Sequence, residues 1–335
     1  MTSREIRLAR RPEGWPSADT FEFVTVDVPA PRSGQATVRN IYMSVDPYMR
    51  GRMNDVISYA PPFKVGAPLE GLAIGQVVAS ESPLEVGTFV SSSFGWREAF
   101  TARAETLTKC DPQLAPLSAY LGVLGITGFT AYVGLFEIAG LKSGDDVFVS
   151  SAAGAVGSAA GQFAKIRGAR TIGSAGSPEK VAFLREIGFD DAFDYHDGDV
   201  LRRLCTFAPH GLCVYFDNVG GEQLRAALAA MRDFGRIAVC GMIAGYNEPV
   251  AGPDNLALLI VRRLTMRGFI VTDHLAKYGE FVREFAPAVR DGRAGVLETI
   301  VQGLEAAPQA LLDVLRGGQH RGKLLVQLAP DPTRP

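Results

Sequence analysis

The spacing of apolar positions divides the chain into two parts. In about the first 120 residues, short segments that alternate apolar and polar side chains are broken by proline and glycine, as in FEFVTVDVPAP and GLAIGQVVAS. Segments of this kind predict an irregular antiparallel β-domain or a partial barrel. The pattern changes near Leu121, where LGVLGITGFTAYVGLF begins an apolar stretch that predicts a helix.

From Asp145 onward, strand-like and helix-like segments alternate. The predicted strands are DDVFVS, ARTIGS, DAFDY, LCVYFDN, GRIAVCG and LTMRGFIVT; the helices between them are AVGSAAGQFAKIRG, SPEKVAFLREIG, a segment near 199–207 and GEQLRAALAAMRD. This alternation predicts a parallel sheet with helices on both faces, and six strands complete a doubly wound dinucleotide-binding domain. The late segment GKLLVQLA predicts one more strand, which returns to the first domain.

Length and composition fit a protein of two globular domains. The chain has 335 residues, of which 47% are hydrophobic and 21% charged, and a net charge of −2. This charge provides no field that attracts nucleic acid or an anionic membrane, and no apolar run approaches the ~20 residues of a membrane span. The first residues, MTSREIRLARRPEG, contain no apolar core of a secretory signal. We therefore expect a cytoplasmic protein with no nucleic-acid or membrane partner.

The residues that bind metals are dispersed along the sequence. No two of the four cysteines form a C-x-x-C pair, and no histidine lies at ligand spacing from a cysteine; these residues are Cys110, Cys205, Cys213, Cys240, His196, His210, His274 and His320. A structural zinc site needs four closely spaced ligands. The sequence therefore predicts no metal site, and cysteines that are small buried thiols in a reducing compartment.

A glycine-containing turn follows the first strand of the alternating region. In SAAGAVGSAAGQ, residues Ala152, Gly154 and Gly157 have the spacing of G-x-G-x-x-G, with alanine in place of the first glycine. Gly154 allows the backbone to approach a pyrophosphate, and Gly157 allows the following helix to pack closely on the strand. The helix that begins near Val156 directs its free N–H groups at the phosphates. The strand before the turn and the helix after it favour a dinucleotide site over an ordinary helix start.

The tip of the second strand lacks the acidic residue that an NAD-specific site would carry there. The segment RTIGSAGSPEK ends its strand in small neutral residues, and the next charges are Glu179 and Lys180. A carboxylate at the tip would bind an unmodified ribose and repel a 2′-phosphate, whereas Ser177 and Lys180 can receive one. The sequence thus predicts NADP(H) as the cofactor, although Lys180 could instead be an ordinary solvated helix residue.

Several strings of residues resemble one known family over nearly the whole chain. They are SVDPYMRGRMN (44–54), AAGAVGSAAGQFAK (152–165), GSPEK (176–180), YFDNVGGE (215–222) and CGMIAGYN (240–247). They resemble the zinc-independent medium-chain dehydrogenase/reductases, and within them the NADPH-dependent alkenal/one reductases, which include leukotriene B4 12-hydroxydehydrogenase/prostaglandin reductase and curcumin reductase. The strings around DPYMRGRM and FDNVGGE are specific to this family, whereas the glycine motif is not.

The resemblance implies an α/β architecture in which a Rossmann domain is inserted into a GroES-like β-domain. The expected domains are residues 1–124 with 302–335 for the GroES-like catalytic domain and 125–301 for the Rossmann NADP-binding domain. A homodimer is also implied. The cofactor contacts that the family implies, together with those predicted above, are Gly154, Ala155, Val156, Gly157, Ser177, Lys180, Tyr195, Asn218, Cys240, Gly241, Met242, Ile243, Ala244, Gly245, Tyr246, Phe269, Ile270, Val271 and His320.

Two positions depart from the family pattern. Near the C-terminus the family usually has G-x-N-x-G-K, and here His320 replaces the asparagine that contacts the cofactor. Several relatives also have a tyrosine, offered as an acid or substrate contact, where this chain has Val261. Histidine can still donate or accept a hydrogen bond, whereas valine cannot take over the role of the tyrosine.

The chemistry that these residues favour is reduction of a conjugated carbonyl. Alcohol dehydrogenation needs a metal or a positioned base to take the O–H proton. Hydride addition to the β-carbon of a small apolar enone or enal instead moves charge to the carbonyl oxygen, which needs only hydrogen-bond donors. The candidate donor is Tyr48 of DPYMRG, with local packing of its ring as the alternative; Tyr59 and Phe63 are candidates for an apolar substrate wall. Quinone reduction and a non-catalytic NADPH sensor are the alternative functions.

Overall fold

The computed structural model describes residues 1–334 and divides them into two compact units. The first contains Met1–Leu121, Glu298–His320 and, of the described residues, 324–334; the second contains Gly122–Leu297 and Arg321–Lys323. Each unit has its own hydrophobic core. The chain divides after Leu121 and Leu297, and domain edges after residues 124 and 301 stay a prediction.

Within the described residues the strands are numbered in chain order. They are β1 (Thr2–Leu8), β2 (Phe21–Asp27), β3 (Gln35–Ser44), β4 (Ala73–Ser80), β5 (Phe89–Ser92), β6 (Ala99–Arg103), β7 (Thr108–Lys109), β8 (Asp146–Val149), β9 (Arg170–Ala175), β10 (Asp191–Asp194), β11 (Leu212–Asp217), β12 (Met231–Val239), β13 (Thr265–Gly268), β14 (Glu298–Gln302) and β15 (Lys323–Gln327).

The α-helices of the described residues are short to moderate in length. They are α1 (Tyr48–Arg52), α2 (Ile126–Tyr132), α3 (Ala155–Ile166), α4 (Pro178–Glu186), α5 (Val200–Phe207), α6 (Gly221–Ala230), α7 (Leu258–Val261), α8 (Tyr278–Arg290) and α9 (Ala307–Arg316). From Met1 to Arg334, no helix is both long enough and apolar enough to cross a bilayer.

The first unit is built on β-sheets. β1 and β2 form an antiparallel pair, and a larger sheet has the order β14-β15-β3-β4-β5-β7, with β6 also pairing with β3. The pairings of β3 with β4, β6 and β15 are antiparallel. Its main core contains Trp96, Met43 and Met49 together with apolar residues of α9. The late strand β15 therefore joins the sheet of the N-terminal part, as the sequence predicts.

The second unit is a parallel sheet in the order β10-β9-β8-β11-β12-β13. Each neighbouring pair runs parallel. This is the order of a doubly wound dinucleotide-binding sheet, in which the chain reverses direction across the sheet between β8 and β11. Strands such as β11, whose six residues are all buried, are apolar on both faces because helices cover both sides. The predicted combination of an antiparallel β-domain with a doubly wound sheet is confirmed.

Two element boundaries differ from the sequence prediction. The helix predicted to run through Asp233 ends at Ala230, because Met231 is buried and already pairs with Leu212 of β11. The last strand of the sheet ends at Gly268 and not at Thr272. The ring of Phe269 instead packs against Gly134. A Cβ added to this glycine would lie only 2.9 Å from the ring. Tertiary pairing and packing override local propensity at both places.

Candidate functional site

The glycine turn after β8 leads directly into α3. Gly154 is the N-cap of α3, with φ −78° and ψ 176°, and no side chain caps the helix. A Cβ on Gly157 would lie 2.7 Å from Cα of Ala152 and closer still to the carbonyl oxygen of Ser151. A Cβ on Gly154 would meet nothing closer than 3.2 Å. Gly157 is thus required by packing within the protein, whereas a Cβ on Gly154 would make only tight contacts with the two Ser151 oxygens at 3.2 and 3.4 Å.

The backbone just before this turn is strained. Ser151 has φ +49°, a left-handed conformation that non-glycine residues rarely adopt. The next residue, Ala152, donates its N–H to the carbonyl oxygen of Ser174 on β9 at 2.9 Å, which fixes the turn between two strands. The first N–H groups of α3 have no acceptor within the helix and carry its positive dipole end. A helix N-terminus of this kind can bind a pyrophosphate, and the assignment of Gly154, Ala155, Val156 and Gly157 to the cofactor stays a prediction.

A late segment of the chain lies beside the same turn. Gly322 donates its N–H to the carbonyl oxygen of Ala153 at 2.8 Å and forms a parallel β-bridge with Gly154. Its φ of +65° favours glycine. A Cβ at this position would in addition collide with the carbonyl group of Leu297. The N–H of Lys323 in turn donates to Leu297 O at 2.8 Å. Arg321 is therefore held next to the glycine turn, which the sequence analysis did not detect.

The start of α4 carries the residues predicted to receive a 2′-phosphate. Ser177 is the N-cap, and its hydroxyl accepts from the backbone N–H of Lys180 at 3.3 Å. Burial lowers the pKa of the Lys180 ammonium, and the positive charge of Arg321 lowers it further. Glu179, in the first turn of the same helix, is exposed, and its pKa is lowered by its own backbone amide, by the Ser177 hydroxyl and by Arg321. The positive charge of Arg321 therefore contributes to the pKa shifts of both Lys180 and Glu179.

Tyr195 lies next to this helix start, at the end of the neighbouring strand β10. A Cβ on Gly176 would come within 3.4 Å of the Tyr195 hydroxyl, so the phenol and the tip of β9 are close. The Tyr195 ring lies against His196 with centroids 4.0 Å apart. Burial raises the pKa of Tyr195, and the Asp194 carboxylate raises it further. At neutral pH the hydroxyl is therefore protonated and can donate a hydrogen bond next to Gly176, the residue before Ser177.

A buried carboxylate organises the turn after β11. Asp217 is fully buried, and its Oδ1 accepts from the Tyr215 hydroxyl at 2.7 Å and from the N–H groups of Val219 and Gly220 at 2.9 and 2.8 Å. Burial raises the pKa of Asp217 despite these donors. Asn218 donates its N–H to the Ser150 hydroxyl and its side-chain amide to Ser150 O. Asn218 is thereby fixed between β8 and β11, and Asp217 holds the turn that presents it.

The loop after β12 packs on this turn. Ile243 and Ala244 donate their N–H groups to the carbonyl oxygens of Asn218 and Val219, both at 3.3 Å. Burial and the Asp217 charge raise the pKa of the Cys240 thiol to about 12, so it stays protonated. The rest of the predicted loop, Gly241, Met242, Gly245 and Tyr246, follows in the same turn, and Phe269, Ile270 and Val271 follow β13.

The predicted cofactor residues of the second unit thus follow the carboxyl ends of its six strands. That edge of an open parallel sheet is where such folds bind ligands. The two remaining predicted residues, Tyr48 and His320, belong to the first unit. Tyr48 begins α1 and packs against the main core of that unit. Burial raises the pKa of Tyr48, and the Asp46 carboxylate adds to the shift, so the phenol remains neutral.

The described chain, Met1 through Arg334, contains no group of three or more His, Cys, Asp or Glu side chains placed to bind a metal ion. All four cysteines are unpaired, and Cys110 and Cys213 are buried. Burial raises the pKa of both buried thiols, that of Cys110 to about 11. These thiols are accordingly packing residues of the two units.

Comparison with known proteins identifies relatives over the whole length. Residues 4–110 match a family described as the N-terminal domain of oxidoreductase, and residues 155–287 match one described as zinc-binding dehydrogenase. The chain is 39% identical to 2-alkenal reductase (NADP(+)-dependent) of Nicotiana tabacum, with 98% of each chain covered. It is 38% identical to NADPH-dependent curcumin reductase of Escherichia coli strain K12, with 97% of this chain and 96% of the relative covered.

A solved structure is similar over the same length. The crystal structure of CurA from Vibrio vulnificus in complex with NADPH superposes with a TM-score of 0.92. Its sequence is 39% identical, and the alignment covers 98% of this chain and 100% of that one. Sequence and fold therefore agree on the same group of enzymes.

Proposed function

The chain belongs to the zinc-independent medium-chain dehydrogenase/reductases of the alkenal/one reductase type, and we propose on this premise that it reduces the C=C bond of α,β-unsaturated ketones and aldehydes with NADPH. The observation that carries the proposal is the acid-free tip of β9, which leads through the Ser177 N-cap into the helix of Lys180 and lies close to the Tyr195 hydroxyl at Gly176. A full-length relative reduces 2-alkenals with NADP and another reduces curcumin with NADPH. The substrate class is therefore a small apolar unsaturated carbonyl compound.

The residues of the second unit fit NADP(H). The N-terminus of α3 would provide N–H groups for the pyrophosphate, and Lys180 and the neutral Tyr195 hydroxyl would provide donors for a 2′-phosphate. The Asn218 amide, fixed on Ser150, would lie on the ribose and nicotinamide side. When bound, NADPH supplies a hydride to the electrophilic β-carbon of the substrate. The protein must then stabilise the negative charge that develops on the carbonyl oxygen and exclude competing reactions.

Two roles remain for the protein and solvent after hydride transfer. Because its pKa is raised, Tyr48 stays protonated at neutral pH and can donate a hydrogen bond to the enolate oxygen, but it cannot act as a base. The α-carbon must also take a proton. Val261, 62% exposed at the end of α7, has no proton to give, so we assign this step to water.

A panel of enones, enals and quinones tests the function. We expect NADPH oxidation that depends on added enone, and a saturated ketone or aldehyde as product. With NADPH deuterated at the nicotinamide position that donates hydride, the label should appear on the β-carbon, and a metal chelator should leave the rate unchanged. Faster turnover of quinones than of any enone would make the protein a quinone reductase, and tight NADPH binding without turnover would make it a sensor.

Replacing Tyr48 with phenylalanine tests the proposed enolate contact. We expect kcat for an enone to fall by about 10-fold if water takes the place of the hydroxyl, below the 10²–10³-fold cost of losing an enclosed oxyanion donor. NADPH affinity should stay nearly unchanged. Tyr120→Phe is the matched control, because that hydroxyl donates to the carbonyl oxygen of Asp111 in the same unit. Wild-type turnover by Tyr48→Phe would assign the residue to packing.

We also propose a homodimer formed along the edge of the second unit's sheet. All four residues of the edge strand β13 are exposed, and α7 exposes Ile260 and Val261 by 82% and 62%. An exposed edge strand with apolar neighbours tends to pair with another chain, and a second copy would extend the sheet. Ile260→Asp with Met266→Asp should shift the mass in light scattering from dimer to monomer. Val86→Asp, at an exposed turn of the first unit, should not. A monomeric wild type would refute the dimer.

We propose a cytoplasmic location on the basis of the cysteines. All four are unpaired, which fits a compartment that keeps thiols reduced. Fractionation of cells that produce the protein would test this, and recovery outside the cytoplasmic fraction would contradict it.

A further inference from the structure

We propose that Arg321 is a second cation of the 2′-phosphate site and shares with Lys180 the selection of NADPH over NADH. This inference rests on the proposed function, because it concerns the cofactor of the same reaction. It adds a residue from a distant part of the sequence, in the segment Gly318-Gln319-His320-Arg321-Gly322-Lys323.

The first step in the argument is the position of the guanidinium group. Its central carbon lies 5.6 Å from the centre of the Phe183 ring. Phe183 belongs to α4, one turn after Lys180, so the two residues share a face of that helix. Arg321 therefore reaches across to the helix whose first turn carries Ser177 and Lys180, and the aromatic ring provides a flat surface for the guanidinium plane.

The second step is that the backbone fixes this reach. Gly322, the residue after Arg321, donates its N–H to Ala153 O in the glycine turn. Lys323 then donates its N–H to Leu297 O. The left-handed conformation of Gly322 prevents simple replacement of this turn. Arg321 thus starts beside the pyrophosphate turn of α3 and ends over α4, so that its side chain follows the path from the pyrophosphate toward a 2′-phosphate.

The third step is charge. Arg321 contributes to lowering the pKa of Lys180, so the guanidinium lies close enough to the ammonium group for the two positive charges to interact. Arg321 also lowers the pKa of Glu179, an exposed residue in the first turn of the same helix. A phosphate monoester with close to two negative charges at pH 7 would neutralise both cations, whereas a ribose hydroxyl would neutralise neither. The pair therefore favours the phosphorylated cofactor.

The test is direct binding by calorimetry, with no substrate and no turnover. For Arg321→Gln we expect the NADPH Kd to rise by about 5- to 20-fold, because Arg321 is exposed and its contact is partly screened. The NADH Kd should change by less than about 2-fold, since NADH has no group for the guanidinium to bind. Arg321→Lys should keep most of the affinity, and the loss in Arg321→Gln should shrink at high salt.

The matched control is Arg316→Gln, which removes a guanidinium that lies 5.4 Å from the Trp15 ring in the first unit and should change neither Kd. In the double variant with Lys180→Ala, the loss of NADPH binding free energy should be smaller than the sum of the losses in the two single variants, because both cations bind the same phosphate. Equal weakening of NADPH and NADH by Arg321→Gln would assign the residue to the pyrophosphate, and an unchanged NADPH Kd would remove it from the site. Failure of the proposed function would appear differently, as NADPH binding without enone turnover in the wild type.

Discussion

Lys180→Ala is expected to weaken NADPH binding by about 10- to 150-fold and to leave NADH binding nearly unchanged. The range corresponds to a charge-assisted contact worth about 1.5–3 kcal/mol. The site raises the free energy of this ammonium group before any ligand arrives, because burial and Arg321 both lower its pKa. A 2′-phosphate would relieve that cost, so the contact should lie above the range of an ordinary exposed ion pair. The Kd values for both cofactors, measured at low and high salt, provide the test.

The control for this variant is Lys142→Ala. Lys142 belongs to the same unit but precedes β8, at the opposite edge of the parallel sheet from the predicted cofactor residues. Its removal should change neither Kd. If Lys180→Ala weakened both cofactors equally, Lys180 would be holding α4 or the pyrophosphate. A wild-type enzyme that favoured NADH would refute the interpretation of the acid-free strand tip as a whole.

The sequence predicts the second unit well because its signals are local. A strand, a glycine turn and a helix follow one another within residues 146–166, and the absent acid at the tip of β9 lies on the next strand. The same holds for Asn218, which follows its strand directly. In each case the rule that ligands bind at the carboxyl ends of parallel strands converts chain order into proximity. Residues that meet by this rule can be predicted without coordinates.

Residues that act through a distant partner could not be predicted in this way. Arg321 belongs to a segment that contacts the glycine turn through a single β-bridge between Gly322 and Gly154. No hydrophobic periodicity in the sequence predicts such a contact. Asp217 is a similar case, because its burial and the hydrogen bond that it accepts from the Ser150 hydroxyl at 3.3 Å require β8 and β11 to pair, although its three donors at 2.7–2.9 Å are local. An aspartate before a turn does suggest a local capping role. The strain at Ser151 has no sequence signal, since serine usually adopts other backbone conformations.

The last prediction concerns the two glycines of the turn. Alanine substitutions at Gly157 and Gly154 should reduce NADPH binding for different reasons. Gly157→Ala would place a Cβ 2.7 Å from Cα of Ala152, so α3 must move away from β8. We expect a loss of about 1–3 kcal/mol in the free energy of unfolding, as for an overpacked core, and no measurable NADPH binding. Gly154→Ala has an allowed φ, and its Cβ would meet only the Ser151 oxygens at 3.2 and 3.4 Å, so the protein should keep most of its stability.

Gly154→Ala should nevertheless weaken NADPH and NADH together, by about 10-fold or more, because its Cβ occupies the space through which the pyrophosphate reaches the backbone and both cofactors carry that group. This pattern contrasts with Lys180→Ala, which should affect NADPH alone. The control is Gly279→Ala in α8, where the added Cβ would lie 3.6 Å from an Arg283 side chain; it should be neutral or slightly stabilising. Urea unfolding and calorimetric Kd values on the three variants separate fold from binding. Normal NADPH affinity in Gly154→Ala would mean that the pyrophosphate does not lie on this turn.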